Sequence, residues 1–141
     1  MKEIKGQPQR RSLMRLKLIL KQHRPHQLIP INYQYLISSF IYRTIENSDN
    51  EYSKWLHESG FMSGNKKFKL FTFSKLNIKD CSNENLHGNV YIKVKSEKME
   101  LIVSMLAEKT VENFIIGLFE NQMMKIYDKN LESQFYVSTA L

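Results

Sequence analysis

A single cysteine, Cys81, excludes an internal disulfide, and no Cys/His set at zinc spacing surrounds it. Glycine is scarce, with 5 residues in 141, and there is no P-loop and no G-x-G-x-x-G. H-E-x-x-H and G-x-S-x-G are missing too, and the carboxylates are scattered, with no pair placed for glycosidase or two-metal work. No metal and no cofactor is expected. No stretch approaches the roughly 18 to 20 apolar residues that span a bilayer. The most apolar early run, residues 13–20, is interrupted by Arg15 and Lys17, too short and too charged for a secretory core. The expected compartment is the cytoplasm, with no membrane partner.

Hydrophobic residues make up 42% of the chain and charged residues 25%, the balance of a globular protein. With 8 Phe, 7 Tyr and one Trp, it has too much apolar area to remain disordered. A length of 141 residues suits one ordinary domain. The net charge of +7 is unevenly placed: residues 1–27 hold 8 of the 21 Lys+Arg against one acid, Glu3, and the remainder is neutral. A second basic stretch holds Lys66, Lys67, Lys69, Lys75 and Lys79 with no acid among them. Basic segments mixed with apolar residues point to a polyanion, of which nucleic acid is the commonest. Charge alone leaves a solvated surface with a basic tail as an equal reading.

Residues 1–12 lack periodicity and read as a flexible basic leader, and 13–141 as a single domain. Residues 13–21 alternate apolar and basic side chains, the mark of a half-buried strand. After a loop over 22–29, Asn32 is the expected cap of a helix over 33–46. Its stripe is Leu36, Ile37, Phe40, Ile41, Thr44 and Ile45. A short second helix is expected over 51–58, a loop over 59–67, a strand over 68–76 and a polar turn region over 79–88. Strands follow over 89–95 and 100–105. A helix spans 107–121, with Val111, Phe114, Ile115, Leu118 and Phe119 as its apolar face. Short strands at 123–127 and 135–137 close the chain. The expected fold is α+β, ferredoxin-like (RRM-like) βαββαβ: an antiparallel sheet with two main helices on one face and an extra short helix. Such a fold is compatible with RNA binding without establishing it.

Three residues suit one chemistry. His57 ends the short second helix, Tyr42 lies on the first helix and Lys69 opens the next strand. An imidazole is the side chain best poised for proton transfer near neutral pH. A phenol and an ammonium beside it could stabilise a phosphate gaining charge in its transition state. Each also has a plain reading: a half-buried helix tyrosine, a histidine favoured by the helix dipole, a solvated strand lysine. Spacing alone does not decide between them.

The segment Pro30-Ile31-Asn32-Tyr33-Gln34-Tyr35 followed by Ser38-Ser39-Phe40-Ile41-Tyr42 resembles the opening of the CRISPR-associated endoribonucleases of the Cas-six family. So do Trp55-Leu56-His57-Glu58-Ser59-Gly60 and Phe68-Lys69-Leu70-Phe71-Thr72-Phe73-Ser74, in the family's order. The resemblance implies two consecutive ferredoxin-like domains, of which this chain would be the N-terminal one. It also implies metal-independent cutting of CRISPR precursor RNA within repeats. There the 2′-hydroxyl attacks the adjacent phosphate, leaving a 2′,3′-cyclic phosphate and a 5′-hydroxyl. Tyr42, His57 and Lys69 fall on the positions of the family's catalytic set. His57 would be general acid or base, Tyr42 would assist proton transfer or orient the nucleophile, and Lys69 would stabilise the phosphorane. DNA would be refused for want of a 2′-OH.

Lys66 and Lys67 lie close enough in sequence to substitute for Lys69, and with Arg15, Lys17 and Lys75 they are the expected RNA-binding cations. Nothing here matches the glycine-rich loop of the family's second domain, so a fragment or a shortened member is expected. The expected partners are CRISPR repeat RNA, with a homodimer or a CRISPR effector complex as further associations. The competing readings are a non-catalytic RRM-like RNA-binding module and a scaffold subunit. Against the module, Phe68, Phe71 and Phe73 lack the glycine spacing of an RNP1 sequence.

Overall fold

The computed structural model describes residues 14–48, 51, 54, 61–63, 66–68, 71–106 and 108–141. In chain order the elements are β1 (Met14–Gln22), β2 (Leu28–Pro30), α1 (Gln34–Ser48), β3 (Phe61–Ser63), β4 (Lys66–Phe68), β5 (Phe71–Phe73) and β6 (Asn77–Ile78). There follow β7 (Cys81–Leu86), β8 (Asn89–Val94), β9 (Lys98–Met105), α2 (Glu108–Glu120), β10 (Met123–Tyr127) and β11 (Glu132–Ala140).

β1 is the centre of the main sheet because its alternation offers one fully apolar face. Leu16, Leu18 and Leu20 are buried, while Arg15 and Lys17 are exposed. It pairs antiparallel with β9 on one side, setting Leu16, Leu18 and Leu20 opposite Val103, Leu101 and Met99. On its other side it pairs antiparallel with β11, where Leu20 faces Val137. The sheet order is β10-β11-β1-β9-β5, and β6 also joins β9. Followed along the chain, β1, α1, β5, β9, α2 and β11 run in the β-α-β-β-α-β order. The fold is α+β, with two helices and antiparallel sheets among the described residues.

Both helices put their apolar stripes into the same core as the inward strand residues. Ile37, Phe40, Ile41 and Ile45 of α1 and Val111, Phe114 and Leu118 of α2 join Leu18, Leu101, Met124 and Phe135. A fully buried leucine such as Leu18 contributes about 1.5–3 kcal/mol through area removed from water. α1 starts where the Tyr33 carbonyl accepts from the Ile37 N–H at 3.0 Å, so Tyr33, one residue after the expected Asn32, is the cap. α2 ends where Gln122 Nε2 donates to the carbonyls of Leu118 and Phe119, each at 2.7 Å. The helices cross at Gly117 and Thr44, so closely that a Cβ on Gly117 would lie 1.8 Å from the Thr44 carbonyl oxygen.

The expectations need correction at several places. Residues 81–86, read as polar turn, form β7, which holds its place by backbone pairing with β8 rather than by apolar alternation. The loop expected over 59–67 contains β3 and β4, an antiparallel pair with Phe61 opposite Phe68. β8, expected as a strand of the one antiparallel sheet, instead forms a side sheet with β2 and β7. Ile115 and Phe119 point outward, Phe119 at 83% exposure, because the side of α2 facing α1 is the one that carries Gly117. The extra short helix is not among the described elements, and most of residues 51–58, like the leader 1–12, lies outside the described residues. No described helix is long and apolar enough to cross a membrane.

Candidate functional site

Helical spacing carries Tyr35, Ser39, Tyr42 and Arg43 onto one side of α1, at i, i+4, i+7 and i+8. On β10, Met124 and Ile126 turn into the core, which leaves Lys125 and Tyr127 exposed. These two sets line an open groove of about 700 Å³, completed by Leu36, Asp128 and Lys129. A smaller groove adjoins it past Met123 and Glu132 and shares Arg43, Lys125 and Tyr127.

Tyr42 is half-buried, and its ring meets Phe71 edge-on, with centroids 5.1 Å apart and planes at 73°. Burial pushes its phenol above the ordinary value of 10.0. At neutral pH the group is therefore a protonated hydroxyl, suited to donating a hydrogen bond. The loop beyond β10 is built around Asp128. Its Oδ1 accepts from the N–H groups of Asn130 at 2.8 Å and Leu131 at 3.0 Å, an Asx turn. Its Oδ2 accepts from the Tyr91 hydroxyl at 2.6 Å. Partial desolvation pushes the Asp128 carboxyl up, but these donors and the neighbouring Lys129 outweigh it and hold the carboxyl below its ordinary value of 3.8. The hydrogen bond to Asp128 raises the Tyr91 phenol in turn.

Of the expected catalytic residues only Tyr42 can be placed; His57 and Lys69 lie outside the described residues. Lys66 and Lys67 lie in β4, opposite Ser63 and Met62. Arg15 and Lys17 project from the open face of the sheet, the face that α1 and α2 do not cover, opposite Ser104 and Ile102. Lys17 reaches Glu100 at 4.0 Å, an exposed pair worth at most about 1 kcal/mol. Lys75 is exposed after β5, beside Ser74, whose N–H donates to the Ile102 carbonyl. The structure thus brings Arg15 and Lys17 together on the open face and sets Tyr42 in the helical layer. Arg43, Lys125, Lys129 and the exposed rings of Tyr35 and Tyr127 escaped the sequence reading. Their signal was present in the polar side of the first helix and in the outward phase of residues 123–127. It was hidden because residues 28–141 are neutral as a whole. Among the described residues no group of three or more His, Cys, Asp or Glu side chains converges on a point.

Comparison with known proteins bears on this arrangement. Residues 28–140 match the family model described as CRISPR-associated protein Cas6, N-terminal. The CRISPR-associated endoribonuclease Cas6 1 of Methanocaldococcus jannaschii is 32% identical over an aligned length of 121, the match covering 82% of this chain and 41% of that protein. A solved structure named as CRISPR associated protein Cas6 superposes with a TM-score of 0.63 at 30% identity, covering 92% of this chain and 48% of that one. A solved structure described as the product of a Cas6-related gene from Pyrococcus furiosus gives a TM-score of 0.69 at 22% identity, covering 92% and 47%, and shows likeness of fold alone. The chain spans about half the length of these relatives, or somewhat less.

Proposed function

This chain belongs to the family of Cas6 N-terminal domains, and from that premise we propose that it supplies the catalytic residues of an endoribonuclease that cuts CRISPR precursor RNA within its repeats. The observation that carries the reading is the family match over residues 28–140, which includes all three sequence blocks around Tyr42, His57 and Lys69. In the reaction the O2′–H bond breaks, O2′ bonds to the adjacent phosphorus, and the P–O5′ bond breaks. The products are a 2′,3′-cyclic phosphate and a 5′-hydroxyl. One proton leaves O2′ and one reaches O5′, so no external nucleophile is consumed. His57 moves one of these protons. Lys69, with Lys66 or Lys67 as a substitute, faces the charge that builds on the phosphorane oxygens.

The elevated pKa of Tyr42 supports a role for its phenol as a neutral donor that orients the reacting groups, rather than as a phenolate base. Its edge-on contact with Phe71 supports a fixed ring position. CRISPR repeat RNA is the partner this reading requires; Arg15 and Lys17 on the open sheet face, and the exposed Lys75 after β5, offer cations for parts of the RNA away from the cut. A homodimer and attachment to a CRISPR effector complex are compatible with it.

The deciding experiment is incubation with labelled repeat RNA in EDTA, beside His57→Ala. A product ending in a 2′,3′-cyclic phosphate, absent with the variant, is expected. RNA bound but never cut, by either protein, would leave a non-catalytic RNA-binding module. Indifference to RNA at every salt concentration would leave a scaffold.

A further inference from the structure

We propose that the groove between α1 and the β10–β11 hairpin is a track for a single-stranded stretch of RNA, holding phosphates on Arg43, Lys125 and Lys129 and stacking bases on Tyr35 and Tyr127. The proposal rests on the reading of RNA as substrate and adds the path of the strand beside Tyr42. Three observations carry it. The first is shape: the groove of about 700 Å³ is open along its length and runs into a second of about 420 Å³ that shares Arg43, Lys125 and Tyr127. That is the form of a channel for a chain rather than of a pocket that encloses a small molecule.

The second is charge. Arg43 and Lys125 make no ion pair among the described residues. Two acids stand nearby, and both are engaged: Asp128 accepts from Tyr91 and two turn amides, and Glu132 accepts from Gln134 Nε2 at 2.8 Å. Lys129 helps to hold the Asp128 carboxyl low, and it remains exposed. The free hydrogen-bonding capacity of the groove is thus weighted towards cationic donors, as a phosphate chain requires.

The third is the pair of aromatic faces. Tyr35 is 78% exposed and Tyr127 49% exposed, one on each wall of the groove. A water-exposed ring stabilises no core, but it gives a base a flat surface whatever its identity. An acidic peptide would use the cations and leave both rings idle, so RNA is the occupant the groove favours. Tyr42 lines the groove from the same wall as Tyr35, so a strand in the groove passes beside it.

The test is a salt titration of binding by the 141-residue chain, using a short unstructured RNA and DNA of the same sequence. Neither probe needs to be cut. Lys125→Ala and Lys129→Ala should each weaken binding a few-fold and reduce the slope of log affinity against log salt by about 0.7. Tyr127→Ala should weaken binding about tenfold with the slope unchanged. Lys95→Ala, a cation that lines neither groove, is the control. All substituted residues are exposed, and unchanged melting verifies the fold.

Unchanged affinity and slope in every groove variant, with wild-type cleavage intact, would overturn the track and leave the endoribonuclease reading standing. The expected groove effects without any cleavage would sustain the track and sink the endoribonuclease reading. An acidic peptide that competes as well as RNA, with Tyr127→Ala having no effect, would assign the groove to a protein partner and overturn the proposal.

Discussion

Replacing Gly117 by Ala tests how the two helices are fitted together. The added methyl would sit 1.8 Å from the Thr44 carbonyl oxygen, 2.7 Å from its carbon and 2.9 Å from Thr44 Cγ2. Ordinary contact begins at 3.4 Å, so the oxygen must retreat by 3.4 − 1.8 = 1.6 Å. A flexible side-chain tip could turn away; a carbonyl in the interior of α1 moves only with the helix. Overpacking of this kind costs about 1–3 kcal/mol, and a backbone obstacle puts it at the upper end. Alanine gives back about 1 kcal/mol through helix propensity. The expected net loss is about 2 kcal/mol, which for a domain of this size lowers the melting temperature by roughly 6–8 °C. Urea and thermal unfolding followed by circular dichroism measure it. A variant as stable as the parent, or about 1 kcal/mol more stable, would refute the reasoning, because propensity would then have outweighed contact. Tyr42 lies two residues before Thr44, so the same variant should also lose RNA cleavage at temperatures where it remains folded.

Gly88→Ala should cost about 1 kcal/mol for a different reason. Gly88 has φ +81, and a Cβ there would meet nothing within 4 Å, so strain alone acts, and an unchanged urea midpoint would count against it. Tyr42→Phe keeps the ring on Phe71 and should lower the cleavage rate about a hundredfold; undiminished cleavage would remove the hydroxyl from the mechanism. Tyr91→Phe removes a donor that depresses the Asp128 carboxyl. A depressed carboxyl contributes stability above its unfolded value, and that contribution is lost as pH falls through the folded value. The parent should therefore exceed the variant in stability at pH 7, with the difference closing below the ordinary Asp128 value of 3.8; a gap that widened in acid would contradict this.

The parts of the fold that bury side chains in a simple period were legible beforehand. β1 and α1 could be read because Leu16, Leu18 and Leu20, and Ile37, Phe40 and Ile41, repeat at the spacing of their elements. β7 was not legible, since Cys81, Ser82, Asn83, Glu84 and Asn85 show no apolar alternation, and pairing with β8 is a property of two segments together. Residues 87 and 88 do turn, as expected: His87 at φ 53 and Gly88 at φ 81 make the two-residue hairpin turn that joins β7 to β8. β8 misled because a strong strand signal does not say which sheet the strand enters. In the site, Tyr42 came from resemblance and Lys125 from geometry. A lysine on an edge strand looks ordinary until a helix sets Arg43 and two tyrosines beside it.

The central place of β1 has a consequence for how the protein is made. Its neighbours are residues 98–105 on one side and 135–140 on the other, so the first described strand waits for the last. Until residues 98–105 have been made, Leu16, Leu18 and Leu20 have no sheet partners, and both edges of the strand are open to other chains. Such distant pairing slows folding, because the loop must close before any contact rewards it. The main sheet is therefore assembled late and around its oldest part. A ribosome stalled before residue 132 would hold a β1 with one edge still bare, and that nascent chain should be a preferred client of chaperones.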